Sequence, residues 1–152
     1  MPSLTDRVRS LSDRVELAVP AGPEMLGIIR MTAAAVASRV EFGYDQVEEL
    51  RLALNELCLT LLEENPTRGR LELEFSWSHD TIEVAAAVMT NTRGCVRRLA
   101  KSSDPSGSGT VPNDFSARII DAIADEHGIS GHNGTKRSWL RMFRRGRTLD
   151  AN

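Results

Sequence analysis

The chain has 152 residues, 41% apolar and 26% charged, with a formal net charge of −2; these values fit one globular core and exclude disorder as its governing state. The near-neutral balance excludes a global drive toward nucleic acid or an anionic membrane. Two cysteines, Cys58 and Cys95, are too few for a disulfide framework or a zinc site, and neither a signal-peptide core nor a membrane-spanning apolar run of roughly 20 residues is present, so reduced thiols and a cytoplasmic location are expected.

Residues 1–13 read as a flexible leader to a single domain over 14–146. Val15, Leu17 and Val19 alternate with Arg14, Glu16 and Ala18, the period of a half-buried strand, which Pro20 ends. Ala21 to Val40 reads as a helix with Leu26, Ile29, Ala33, Val36 and Val40 on one stripe, and Gly43 marks its exit. Asp45 followed by Glu48 has the form of a capping box opening a second helix to about Glu64, which Pro66 and Gly69 close.

Leu71, Leu73, Phe75 and Trp77 then alternate with Glu72, Glu74, Ser76 and Ser78, and Ile82, Val84, Ala86 and Val88 continue the pattern beyond a His79-Asp80 turn. This predicts an antiparallel hairpin with one wet face. Periodicity disappears from 91 to 113, a long segment rich in Ser, Gly, Pro and Asp toward its end, which reads as a loop or lid.

A third helix, capped by Asn113 or Asp114, is expected to end near His127-Gly128, with Phe115, Ile119, Ile120 and Ile123 as its apolar face. His127 would then complement the helix dipole. A short strand near Ile129 and a glycine-flanked turn at Gly131 and Gly134 lead to a last strand, Thr135 to Arg144. That strand has Leu140 and Met142 on one side and Trp139 and Phe143 on the other. Residues 147–152 read as a flexible end. Adjacent strands and few helices predict an α+β two-layer sandwich, a mixed, mostly antiparallel sheet with helices over one face.

Within the second helix, Glu49, Ala53, Glu56, Thr60 and Glu63 share a face, and Leu50, Leu54, Leu57 and Leu61 occupy another. A carboxylate such as Glu56 amid apolar sequence requires a wet cavity or a partner. A plain solvated helix face is the alternative reading.

The order Glu49-Leu-Arg-Leu-Ala-Leu-Asn-Glu-Leu-Cys58, continued by Leu59-Thr-Leu-Leu62, resembles the N-box helix of the anti-sigma-factor/serine-protein-kinase family of GHKL ATPases. The similarity extends over roughly Val15 to Arg144, including Asp114-Phe-Ser-Ala-Arg-Ile-Ile-Asp-Ala-Ile-Ala-Asp-Glu126. It implies the Bergerat, histidine-kinase-like ATPase fold, binding of a sigma factor or an anti-anti-sigma protein in partner switching, and commonly a homodimer. Kinase members of the family transfer the γ-phosphoryl of ATP to a serine of the antagonist, which needs a carboxylate base, an amide ligand for Mg²⁺, an adenine-binding aspartate and glycines beside the phosphates.

By that resemblance Glu56 takes the general-base position. The metal-binding asparagine falls at Thr60, and Asn55, about 100° away around the helix, does not replace it. The adenine motif reads Val88-Met-Thr-Asn-Thr-Arg-Gly94, leaving Asn91 and Gly94 as its remnants, and the second glycine motif is Pro112-Asn-Asp-Phe-Ser116. The expectation is a binding regulator with weak Mg-ATP affinity or none, and not an efficient kinase; an active serine-protein kinase is the alternative.

A second alternative is a nucleic-acid module built on Lys136-Arg-Ser-Trp-Leu-Arg-Met-Phe-Arg-Arg-Gly-Arg147. The same run suits an edge strand with Trp139 and Phe143 packed under a helix and arginines blunting the edge, which is the favoured reading. His79, His127 and His132 lack the cysteine or carboxylate neighbours of a metal site, and none is expected.

Overall fold

The computed structural model describes residues 13–65, 69–90, 114–132 and 135–146. The expected flexible N-terminus over 1–13 apart from Asp13, the expected 91–113 loop, the expected flexible end over 147–152, and Pro66 and Gly134 lie outside the described residues. The elements are β1 (Arg14–Pro20), a 3₁₀ turn (Pro23–Met25), α1 (Leu26–Arg39), α2 (Tyr44–Glu64), β2 (Gly69–Trp77), β3 (Thr81–Thr90), α3 (Asp114–Ile123), β4 (Glu126–His132) and β5 (Thr135–Phe143).

The five strands form one sheet in the order β1-β2-β3-β5-β4. Every pairing is antiparallel, with Leu17 opposite Leu73, Phe75 opposite Val84 and Val84 opposite Leu140. The mixed sheet expected from the sequence is therefore antiparallel at each ladder. β3 and β4 do run in the same direction, but β5 returns through a hairpin and inserts between them, so the parallel pair never touches.

Alternation in β2, β3 and β5 sends Leu71, Leu73, Phe75, Ile82, Val84, Ala86, Leu140 and Met142 to one face, where they are buried. Against them α2 packs Leu50, Leu54, Leu57, Cys58 and Leu61, and α1 packs Ile29, Ala33, Val36 and Ala37. Each fully buried Leu, Ile or Phe side chain stabilises the fold by about 1.5–3 kcal/mol. Ala33, Ala37 and Ala53 have no exposed surface, and small side chains let helices approach closely.

Three local expectations are corrected. The α1 exit is made by Glu41, which holds a left-handed φ of 56°, while Gly43 is the extended N-cap of α2. No side chain caps that helix; Asp45 lies inside its first turn, and Glu48 is bound by Arg51 at 2.6 Å. Finally, α3 ends at Ile123, not His127. The amide of Asp125 donates to the Arg141 carbonyl at 3.0 Å and its carboxylate accepts from the Phe143 amide at 2.8 Å, so strand pairing captures the chain. His127 is consequently a β4 residue, 3.2 Å from Asp121.

β5 is not an edge strand, since β3 and β4 flank it. Trp139 does not lie under a helix: it points to the sheet face opposite the core, across Gly128, where an added Cβ would meet the indole at 3.1 Å. The Arg141 guanidinium stacks on that indole at 5.6 Å. Phe143, on the same face, is exposed. No helix among the described residues is long and apolar enough to cross a membrane.

Candidate functional site

α2 presents two faces because its apolar residues recur every three or four positions. The leucine stripe enters the core, and the flanking line carries Glu49, Ala53, Glu56, Thr60 and Glu63. Ala53 is buried, Glu49 binds Arg145 at 3.1 Å, and Glu63 is exposed.

Glu56 is half-buried and meets α3. Its Oε2 accepts a hydrogen bond from the Ser116 hydroxyl at 2.7 Å, and Ser116 is itself buried. A hydroxyl-to-carboxylate bond of this length is charge-assisted, about twice as strong as a neutral one. Ser116 lies in the first turn of α3, where a negative group also complements the helix dipole.

Thr60, one turn on, donates its hydroxyl to the Glu56 carbonyl at 2.9 Å, which ties that side chain to its own helix. The Asn55 amide oxygen accepts from Arg30 of α1 at 3.1 Å, so it braces α1 against α2 and faces away from Glu56. Asn91 and Gly94 lie outside the described residues. Among the described residues no three His, Cys, Asp or Glu side chains group so as to hold a metal ion. Around Glu56 the carboxylate accepts from a serine and the Thr60 hydroxyl is bonded to backbone.

Two polar residues matter that spacing did not single out. Ser116 closes the Pro112–Ser116 segment but carries no periodic signal. Gln46 extends the leucine stripe of α2 by one turn toward its start and is buried; its Nε2 donates to the Phe143 carbonyl at 2.9 Å and its Oε1 accepts from the Arg145 amide at 3.0 Å. A glutamine in register with leucines is the sequence signal for such a backbone clamp. Cys58, on the same buried stripe, has its thiol pushed up to about 12 by burial, and is not a nucleophile at neutral pH.

The basic run in β5 is matched by acids. Lys136 binds Glu64 at 2.9 Å, Arg137 reaches Glu74 at 3.7 Å, and Arg141 bridges Glu83 on β3 at 2.6 Å and Glu126 on β4. Arg144 and Arg145 pair with Glu41 and Glu49. Hydrogen bonds to Glu83 raise the Arg141 pKa further. Two surface grooves, of about 860 and 980 Å³, lie beside β1 and α1 and around the start of α2; Glu56 lines neither.

No protein-family model matches the chain. Serine-protein kinase RsbW of Bacillus subtilis is 35% identical, over 84% of this chain and 84% of its own length. The proteins of the same name from Bacillus velezensis and Bacillus cereus are 35% and 32% identical over about half of each chain. With its α+β sandwich, the glutamate-bearing α2 and that relationship along most of its length, the chain belongs to the anti-sigma-factor/serine-protein-kinase family of partner-switching proteins.

Proposed function

We propose that the protein is a cytoplasmic binding regulator that captures a sigma factor, an anti-anti-sigma protein or each in turn, and that its nucleotide site does not support efficient phosphoryl transfer. The observation that carries this reading is the hydrogen bond from Ser116 to Glu56. A general base must be free to accept the proton of an incoming hydroxyl, and one oxygen of this carboxylate is already engaged by a serine hydroxyl of its own chain. Thr60, bonded to the Glu56 carbonyl, supports the same conclusion, because phosphoryl transfer depends on positioned charge and metal.

Binding energy for a protein partner would come from exposed apolar side chains, and α1 offers Ile28 and Met31 beside the groove against β1. Homodimerisation is proposed on the family resemblance and would use the same helix or the sheet. The decisive experiment pairs two measurements on the full chain. Pull-down from the native host should recover a sigma factor or an antagonist without added nucleotide, and calorimetric titration with Mg-ATP should give no saturable heat up to millimolar concentration. Recovery of neither class of protein would end the binding proposal.

The relatives are named serine-protein kinases, and the retained Glu56 favours an active kinase as the second reading. Saturable Mg-ATP binding with phosphoryl transfer to an antagonist serine, abolished in Glu56→Ala, would establish it in place of the first.

A further inference from the structure

Along its outer face α1 leaves Ile28, Met31 and Ala35 exposed, at steps of three and four residues, and Met31 is 73% exposed. With Val15 of β1 and Trp77 of β2 they line a groove of about 860 Å³. A contiguous apolar stripe of this kind is the face by which a helix packs on another element. Asp13, the first of the described residues, lines the same groove and also the small cavity it forms with Arg39 and Glu41 at the α1 exit. Its carbonyl accepts from the Trp77 amide at 3.0 Å. The point from which residues 1–12 leave the fold is therefore fixed beside the C-terminal end of the stripe.

The sequence ahead of Asp13 carries a matching pattern. Leu4, Val8 and Leu11 recur at steps of four and three, and every other residue from Ser3 to Ser12 is polar. That is the period of a helix and not of a strand. Leu4 to Leu11 covers the same number of positions as Ile28 to Ala35, about 10 Å of helix in each case. So short a segment does not hold a helix alone in water. An apolar face beside its tether supplies the missing burial, at an effective concentration on the order of millimolar. We propose that residues 1–12 dock in cis as an amphipathic helix parallel to α1, with Leu11 beside Ala35, Val8 beside Met31 and Leu4 beside Ile28, so that the leader covers this groove. A partner that binds through Ile28 and Met31, as proposed above, must then displace it; the docking itself does not rest on that reading.

Amide hydrogen exchange of the full chain tests it without any partner, using Val8→Glu, Met31→Glu and Phe115→Glu. The last places the same charge on an exposed apolar residue outside the groove. In the parent, amides of residues 4–12 should exchange about ten-fold more slowly than the free-chain rate. Val8→Glu and Met31→Glu should each bring them to within about two-fold of that rate with the β2–β3 hairpin unchanged, and Phe115→Glu should leave the protection in place. Peroxide reads the other side of the contact: Met31 should form its sulfoxide several-fold faster in Val8→Glu than in the parent.

Mixing Val8→Glu with Met31→Glu at micromolar concentration separates cis from trans, because an intact leader and an intact groove then lie on different chains. Protection should stay absent; its return would assign the groove to a second copy of the chain and overturn docking in cis. Free-chain exchange of residues 4–12 in the parent, protection that survives Val8→Glu or Met31→Glu, protection lost equally in Phe115→Glu, or equal Met31 oxidation in parent and Val8→Glu would each overturn it as well. Should Met31→Glu fail to fold, Met31→Gln takes its place by the same criteria.

Discussion

Cys58 has no exposed surface, and burial raises its thiol from 9.0 to about 12. The sign follows from which state holds the proton. Below pH 9 the thiol is neutral in the folded and unfolded chain alike, so its contribution to stability is fully present. Between pH 9 and 12 the unfolded chain ionises while the folded one does not, and stability falls. The urea midpoint should therefore fall as pH rises from 9 to 11, and Cys58→Ala should flatten that decline. At pH 8 the native protein should show no label at Cys58 when thiol-modified peptides are mapped. Gln46 is the polar counterpart on the same stripe. Gln46→Ala leaves the Phe143 carbonyl and the Arg145 amide without their partner, and unfolding experiments should register a loss of about 1–3 kcal/mol. Neither role is written in the residue type: the stripe shows that position 46 faces inward, but its two acceptor and donor partners lie nearly a hundred positions away.

Local elements follow the sequence where one face of a segment meets the core and fail where a distant strand competes. The leucine stripe of α2 and the alternation of β2 survive intact because their periods match the burial they receive, whereas in β3 Ala85 and Ala87, on the face expected to be wet, are buried as well. The Asp45–Glu48 signal does not become a cap, because Gly43 already supplies the extended residue ahead of the helix and Glu48 is held by Arg51. α3 stops at Ile123, although Ala124 to His127 could extend it, because the Asp125 amide and carboxylate bond to β5. Phe115 reads as core but stands at the margin of the apolar arc, about 100° from the buried Ser116, and is exposed. The uncapped start of α2 makes a test available. Gly43 has extended backbone angles and open space where a Cβ would stand, so Gly43→Ser can bond the free amides of the first turn and restrict the unfolded chain. Stability should rise by about 0.5–1 kcal/mol in chemical unfolding. A decrease would mean that the Gly43 backbone departs from the extended N-cap geometry.

At the scale of the whole molecule, strand order separates the readings of the C-terminal arginines. Composition alone left β5 as a basic strand, open to phosphate contacts, because partners across a sheet are not encoded in the strand's own pattern. Its position between β3 and β4 supplies Glu83 and Glu126, and β2, α2 and the α1 exit supply the rest. Over 136–145, five cations (Lys136, Arg137, Arg141, Arg144 and Arg145) face six carboxylates (Glu64, Glu74, Glu83, Glu126, Glu41 and Glu49). Exposed pairs of this kind add little stability individually, but together they cancel the positive field that would gather phosphates. Glu74 is shared with Arg14 at 3.2 Å, so among the described residues this network brings six cations and six carboxylates together. Titration of the protein into duplex DNA at physiological salt should therefore show no saturable binding, and lowering the salt should not reveal the steep dependence of a module holding several phosphates. Arg141→Ala sharpens the distinction. It removes the stack on Trp139 and leaves Glu83 and Glu126 without their shared guanidinium, so the thermal midpoint should fall while the DNA titration stays flat. If DNA instead binds tightly at low salt and Arg141→Ala abolishes that binding without lowering the midpoint, the basic strand is an interface for nucleic acid, not a brace within the sheet.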